Sequence, residues 1–311
     1  MTTKEIDIYI IFYGEMKFFD QAYWFLNQCV NSVKKLSDYP YRIHIVDNGS
    51  EKEVIEKIRQ LMPGVDTDVH IIINENQRGY ASVMNKVINT AMIGGSDPFI
   101  SIHSDMRVTR GWLNTLVQEY NYCMNKYKKP VCLMPHYLHY ELEDSNPYLC
   151  LRANFKSPND MESMCRSYDI PYSRENKDLS GNGLIMNGLM SRSPYRGNEH
   201  MDKRHITDDG SNLMSFIAGK DFFNTVGLYD ENFTGWGWED NDMGVRALIK
   251  GCKVLQTHDV YIEHASGLTR GIGKDGNTGR TYDYFLEKWG KSMTDDLQSG
   301  KLWVDLHNRQ N

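Results

Sequence analysis

From Ile6 to Met134 the chain alternates short runs rich in isoleucine, valine and aromatics with segments whose apolar residues recur at helical spacing. No other feature narrows the possible folds as much. Ile6–Phe12 reads as a buried strand, and Asp20–Leu36 as a helix with Tyr23, Leu26, Val30 and Val33 on one face. Arg42–Val46 is the next strand. Ser50 and Glu53 form an S-x-x-E capping box that opens a helix through Leu61. Strands at Val69–Ile73, Phe99–Ile102 and Val131–Met134 alternate with helices at Ala81–Ala91 and Trp112–Tyr122. Strands separated by helices of this length imply βαβ units and an α/β fold, a mainly parallel sheet flanked by helices.

Residues 136–215 break the alternation. They are rich in Asn, Ser, Tyr and Arg and read as long loops over one sheet edge, the kind of segment that serves as a lid or binding loop. Regular signals resume with a helix at Lys220–Val226 stopped by Gly227, and a helix at Asp240–Lys250 ending at Gly251. A strand at Lys253–Gln256 and a helix at Tyr282–Trp289 follow. The expectation is a single domain spanning 1–311, with halves at 1–135 and 136–290 and a tail at 291–311.

Ile6–Phe12 is interrupted by Asp7 and is too short to span a bilayer. Lys4 and Glu5 precede it and no small-residue cleavage site follows, so a cytoplasmic chain starting near Met1 is expected. Six cysteines without a CxxC pair read as reduced packing thiols. A net charge of -6 argues against broad polyanion binding. Arg192, Arg196, Lys203, Arg204 and His205 form one basic stretch, read as a solvated loop, that keeps a nucleic-acid acceptor open.

Two strands end in acids: Arg42–Val46 runs into Asp47, and Phe99–Ile102 into His103-Ser104-Asp105. Ligands of open parallel sheets bind beyond such strand ends, although Asp47 taken alone is a turn former and Asp105 could open a helix. The segment Phe233-Thr234-Gly235-Trp236-Gly237-Trp238-Glu239-Asp240-Asn241-Asp242 crowds three acids behind two tryptophans and two glycines. Three acids so close repel one another unless a helix N-terminus, a cation or a substrate offsets them. Glycines allow close backbone approach, and indole faces suit the apolar face of a sugar ring. His264 follows a strand signal; with Asp105 it could hold Mn2+, or Mg2+ with less comfort.

The ordered set of motifs from Ile6 to Trp289 resembles the GT-A glycosyltransferases, chiefly family 2, with a loop like that of the β-1,4-galactosyltransferases. The resemblance implies a GT-A fold, with 1–135 as the nucleotide-sugar-binding half and 136–290 as the acceptor and catalytic half. Asp47 in VDNGS looks like the acid that contacts nucleobase or ribose, and Asn76-Gln77-Arg78-Gly79-Tyr80 with Asn85 is similar to the segment beside the nucleotide-sugar. His103-Ser104-Asp105 stands where the DxD metal motif belongs, with histidine in place of the first acid. Gly235-Trp236-Gly237-Trp238-Glu239-Asp240 is close to the galactosyltransferase acceptor loop, and Lys288-Trp289-Gly290 to a family 2 tail motif.

By that resemblance Asp240 is the base and Glu239 orients hydroxyls. Asp105 and His264 hold the metal. Asp47, Arg78, Gly79, Asn85, His103 and Asp105 serve the donor, while Trp236, Gly237 and Trp238 shape the acceptor side. Asp242 supports the loop rather than reacting. The implied activity is inverting sugar transfer from a nucleotide-diphosphate donor, UDP by the family's majority habit, to an acceptor that could be glycan, lipid, protein, small molecule or a hydroxylated DNA base. The rival readings are a nucleotidyltransferase, which would want a Gly-rich basic loop where Phe12-Tyr13-Gly14-Glu15 stands, and a non-catalytic sugar-binding relic.

Overall fold

A computed structural model describes residues 5–62, 64, 69–74, 79–142, 149–150, 206–208, 213–235, 237–266 and 278–298. The basic stretch at 192–205 and most of the expected loop region lie outside the described residues. Strand β1 (Ile6–Phe12) is buried along its whole length, as a strand covered on both faces must be. It pairs in parallel with β2 (Tyr41–Asp47) on one side and β4 (Phe99–His103) on the other, and β3 (Val69–Ile73) adds in parallel to β2. Helices α1 (Phe19–Leu36), α2 (Lys52–Leu61) and α3 (Tyr80–Gly94) make the crossovers.

The registers set Phe12 opposite Asp47 and Ile11 opposite His103, so the carboxyl ends of β1, β2 and β4 finish level. The expected capping box does not form. The N-cap of α2 is Glu51, with no side-chain cap bond, because the Ser50 hydroxyl instead accepts the Gly14 N–H at 2.9 Å.

Beyond β4 the sheet becomes mixed. Strands β5 (Met106–Val108), β6 (Val131–Leu142), β7 (Leu149–Cys150), β8 (Ile206–Asp208), β9 (Phe216–Ala218) and β10 (Lys253–Ser266) bring the sheet to ten strands among the described residues: eight lie in the order β3-β2-β1-β4-β9-β6-β10-β5, with β7 paired to β6 and β8 to β10. Strand β9 is antiparallel to both β4 and β6, β6 and β10 are parallel, and β5 is antiparallel to β10. Helix α4 (Trp112–Tyr127) links β5 to β6, and α5 (Lys220–Val226) and α6 (Glu239–Ile249) lie between β9 and β10. Helices α7 (Thr278–Trp289) and α8 (Lys291–Gln298) close the described chain.

Strands β6 and β10 both run well past their expected ends at Met134 and Gln256. Their distal halves are polar and aromatic, so no apolar run marks them; pairing with each other makes them strands. The register between them shifts between Gln256 and Tyr261, a bend that re-aims the far half of β10. Only Ser104 and Asp105 separate β4 from β5, so that far half must return beside the carboxyl end of β4. Among the described residues no helix is long and apolar enough to cross a membrane.

Asp7 is a buried acid in the central strand. His44 Nε2 lies 2.9 Å from its Oδ1, Arg42 Nε donates to it at 2.9 Å, and the Ser96 N–H donates to Oδ2. Burial alone would raise its pKa, but these partners outweigh it and hold the carboxyl at about 2. A depressed carboxyl stabilises the fold above the unfolded pKa, and that contribution disappears as pH falls through the folded one. Asp7→Asn should therefore cost about 2 kcal/mol at neutral pH. In urea titrations the gap between variant and wild type should narrow between about pH 4 and pH 2.

Candidate active site

The turn Ser104–Asp105 and strand β5 carry Asp105 to the far half of β10, where Met106 pairs with His264. Asp105 is 5% exposed and His264 6%, with His264 Nε2 3.6 Å from Asp105 Oδ1. The His103 and His264 rings meet edge to face, centroids 6.1 Å apart. One ligand atom from each of His103, Asp105 and His264 fits within a mutual 4.8 Å. Asp105 Oδ1 is buried without a hydrogen-bond partner, a costly condition for a carboxylate unless a charge answers it. Burial pushes the Asp105 pKa up, but His264 and then His103 hold it below the ordinary carboxylate value. Two imidazoles and one carboxylate whose Oδ1 accepts no hydrogen bond fit a Mn2+-type cation.

The acid-rich loop reaches this cluster through Gly79 and Tyr80. Gly79 has φ +88°, and a Cβ there would come within 2.6 Å of the Gly235 carbonyl oxygen, so the start of α3 and the loop touch backbone to backbone. The Tyr80 hydroxyl lies 3.1 Å from His103 Nε2, and its ring packs edge to face on His103 and on Tyr229. Burial raises the pKa of Tyr80 and Tyr229, and the nearby charges of Asp240 and Glu239 add to both shifts. Tyr80 is thus within electrostatic reach of the two acids and hydrogen-bonded to the histidine-rich cluster.

Trp238 caps α6 with φ +71°, a left-handed conformation that strains a non-glycine residue, and its half-buried ring leans on Tyr282 and Phe285 of α7. Glu239 is buried and Asp240 half-buried in the first turn of α6, where the helix dipole favours acids. Asp240 Oδ1 accepts the Asn241 N–H. The third acid has different company. Asp242 is 0% exposed and accepts from Arg246 Nε at 2.8 Å and Trp289 Nε1 at 2.9 Å, with Lys288 Nζ at 2.8 Å. Lys288 also reaches Asp230 Oδ2 at 2.6 Å. The Lys288-Trp289 pair therefore straps α7 onto the loop's flanks.

Asp47 sits at the expected strand end but is 1% exposed, with both oxygens taking the Ser50 N–H, a turn-forming contact; burial raises its pKa. The Asn85 amide accepts the Tyr229 N–H and donates to the Tyr229 carbonyl and to Glu231 Oε1, tying α3 to the segment before the loop. Gly237, φ +92°, is half-exposed with open space at its Cβ position. Arg78 and Trp236 lie outside the described residues. Among the residues without an assigned role, Tyr80 is the most important; its signal was the aromatic after Gly79 at a strand-to-helix junction.

Residues 7–123 match the family model described as glycosyl transferase family 2, and residues 209–265 the one described as the N-terminal domain of galactosyltransferase. The fold is of the GT-A type, and both matched segments are similar to glycosyltransferases. It is similar to that of a crystal structure of GalNAc-T7 with UDP, GalNAc and Mn2+, at TM-score 0.57 and 15% identity over 99% of this chain. The chain spans about half that relative's length, 55%. A crystal structure of S. aureus TarS, 11% identical with TM-score 0.44, covers 85% of this chain and 37% of its own. No curated protein matches the sequence.

Asp242→Ala would leave Lys288 and Arg246 facing a buried gap. A loss of about 3 kcal/mol is expected, read as a lower urea midpoint with unchanged slope.

Proposed function

We propose that the domain moves a sugar from a nucleoside-diphosphate donor to an acceptor hydroxyl in one inverting displacement, with a divalent cation at the donor phosphates. The single observation that carries this reading is the junction at the start of α3: Tyr80 is hydrogen-bonded to His103 of the His103, Asp105 and His264 cluster, and Gly79 beside it touches the Gly235 backbone of the loop that leads into Glu239 and Asp240. The relative crystallised with UDP, GalNAc and Mn2+ makes a UDP-sugar and Mn2+ the first donor and cation to try.

In this reading Asp105 and His264 hold the cation, with His103 beside them. The cation supplies positive charge against the diphosphate. Asp240 takes the proton from the acceptor oxygen as that oxygen bonds to the anomeric carbon and the bond from that carbon to the phosphate oxygen breaks. The electron pair leaves with the diphosphate. Glu239, buried one residue earlier in the same helical turn, orients hydroxyls. Gly79 holds the loop close to the donor side, and Asp47, Arg78 and Asn85 shape the nucleotide side. Gly237, open above its Cα, forms the acceptor side with Trp236 and Trp238.

Asp240→Asn keeps the bond to the Asn241 N–H but removes the base. It should lower transfer, or donor hydrolysis in the absence of an acceptor, by about two to four powers of ten. Its melting temperature should stay within a few degrees of wild type. Near-normal turnover would take Asp240 out of the mechanism. Chelation should abolish turnover of UDP-sugars, and Mn2+ should restore it better than Mg2+, since two imidazoles favour the softer ion. Activity that survives exhaustive chelation would exclude the cation.

A further inference from the structure

The backbone of His103 is pinned on both sides. Its N–H points to Met106 Sδ at 3.5 Å, and its carbonyl accepts from Cys29 Sγ at 3.5 Å. What remains to be set is the rotation of the imidazole and the nitrogen that carries its proton. Tyr80 bears on both. Its ring lies edge to face on the imidazole with centroids 5.2 Å apart, and its hydroxyl meets Nε2 at 3.1 Å. The same hydroxyl also reaches the Met214 carbonyl oxygen at 3.4 Å.

A carbonyl can only accept, whereas a phenol has one proton to give and lone pairs to receive with. Both contacts are satisfied together in one proton arrangement: Tyr80 donates to Met214, and His103 donates its Nε2–H to Tyr80. A neutral imidazole protonated at Nε2 leaves its lone pair at Nδ1.

We propose that Tyr80 is a positioning residue that locks His103 in the Nε2–H tautomer and so makes its Nδ1 a third protein ligand for the cation beside Asp105 and His264. This rests on the cation reading above and adds a residue that the DxD comparison left without a role. It also gives a reason for histidine at the first position of the motif. The imidazole is a neutral donor that a fixed hydroxyl can orient, whereas a carboxylate there would place a second negative charge beside the buried Asp105. Outer partners of this kind are worth about ten- to a hundredfold in metal affinity.

The test is a Mn2+ titration of the full chain followed by electron paramagnetic resonance, with Mn2+ alone as the probe. Wild type, Tyr80→Phe, His103→Ala and the double variant are compared. Tyr80→Phe keeps the ring that packs on Tyr229 and removes only the hydroxyl, so metal-free melting should change by no more than a few degrees. Its Mn2+ affinity should fall about ten- to a hundredfold. One of the two histidine nitrogen couplings seen by pulsed spectroscopy in wild type should weaken, and excess Mn2+ should restore occupancy. The double variant should bind no more weakly than His103→Ala alone, since the hydroxyl acts through that imidazole.

Wild-type affinity in Tyr80→Phe, or losses that simply add in the double variant, would overturn the proposal while leaving the cation site standing. Absence of Mn2+ uptake by wild type would instead overturn the cation reading, and that result appears in the first titration.

Discussion

The antiparallel pairing of β5 with the far half of β10 is the interaction on which the site depends. It sets Met106 opposite His264 and thereby places a buried imidazole 3.6 Å from a buried carboxylate that is 159 residues away in the chain (264 − 105). The carboxylate would be costly alone at that depth. The parallel strands β1, β2 and β4 provide a level edge, and the returning strand brings His264 to that edge beside His103 and Asp105.

The second joint is at the start of α3. Gly79 touches the Gly235 backbone and Tyr80 touches His103, so one helix terminus adjoins both the acid-rich loop and the histidine cluster. Asn85, one turn further on, holds the segment that leads into the loop. Two parts of the chain that could otherwise shift independently are fixed against the same turn of helix. The loop itself is strained at Trp238, and that strain is sustained by packing on α7 and by the buried ionic strap of Asp242, Lys288 and Asp230.

Most of the fold was readable because its signals are local. The βαβ elements, the helix stops at Gly227 and Gly251 and the acidic turn opening α6 all follow from periodicity and backbone chemistry within a few residues. The failures have one origin, namely interactions with distant partners. Ser50 has the right spacing for a capping box, yet the Gly14 N–H takes its hydroxyl. Strands β6 and β10 outrun their apolar runs because they pair with each other. Asp47 and Asp242 look alike as acids near helix starts, but one closes a turn and the other anchors a tail helix.

By itself, then, the amino-acid order determined the βαβ elements of the first half and the helices flanking the acid-rich loop, which acids cluster before α6, and that Asp105 and His264 were candidates for one ion; the short strands β5, β7, β8 and β9 and helix α8 were not legible in it. Tertiary structure alone decided that His103 joins them, that Tyr80 meets His103 while Gly79 beside it touches the loop at Gly235, and that Lys288 and Trp289 serve Asp242. The physical reason is range. Propensity and periodicity act over a few residues, whereas the hydrogen bond of Tyr80 to His103, and the burial that makes Asp105 need a counter-charge, exist only after strands remote in the chain have paired.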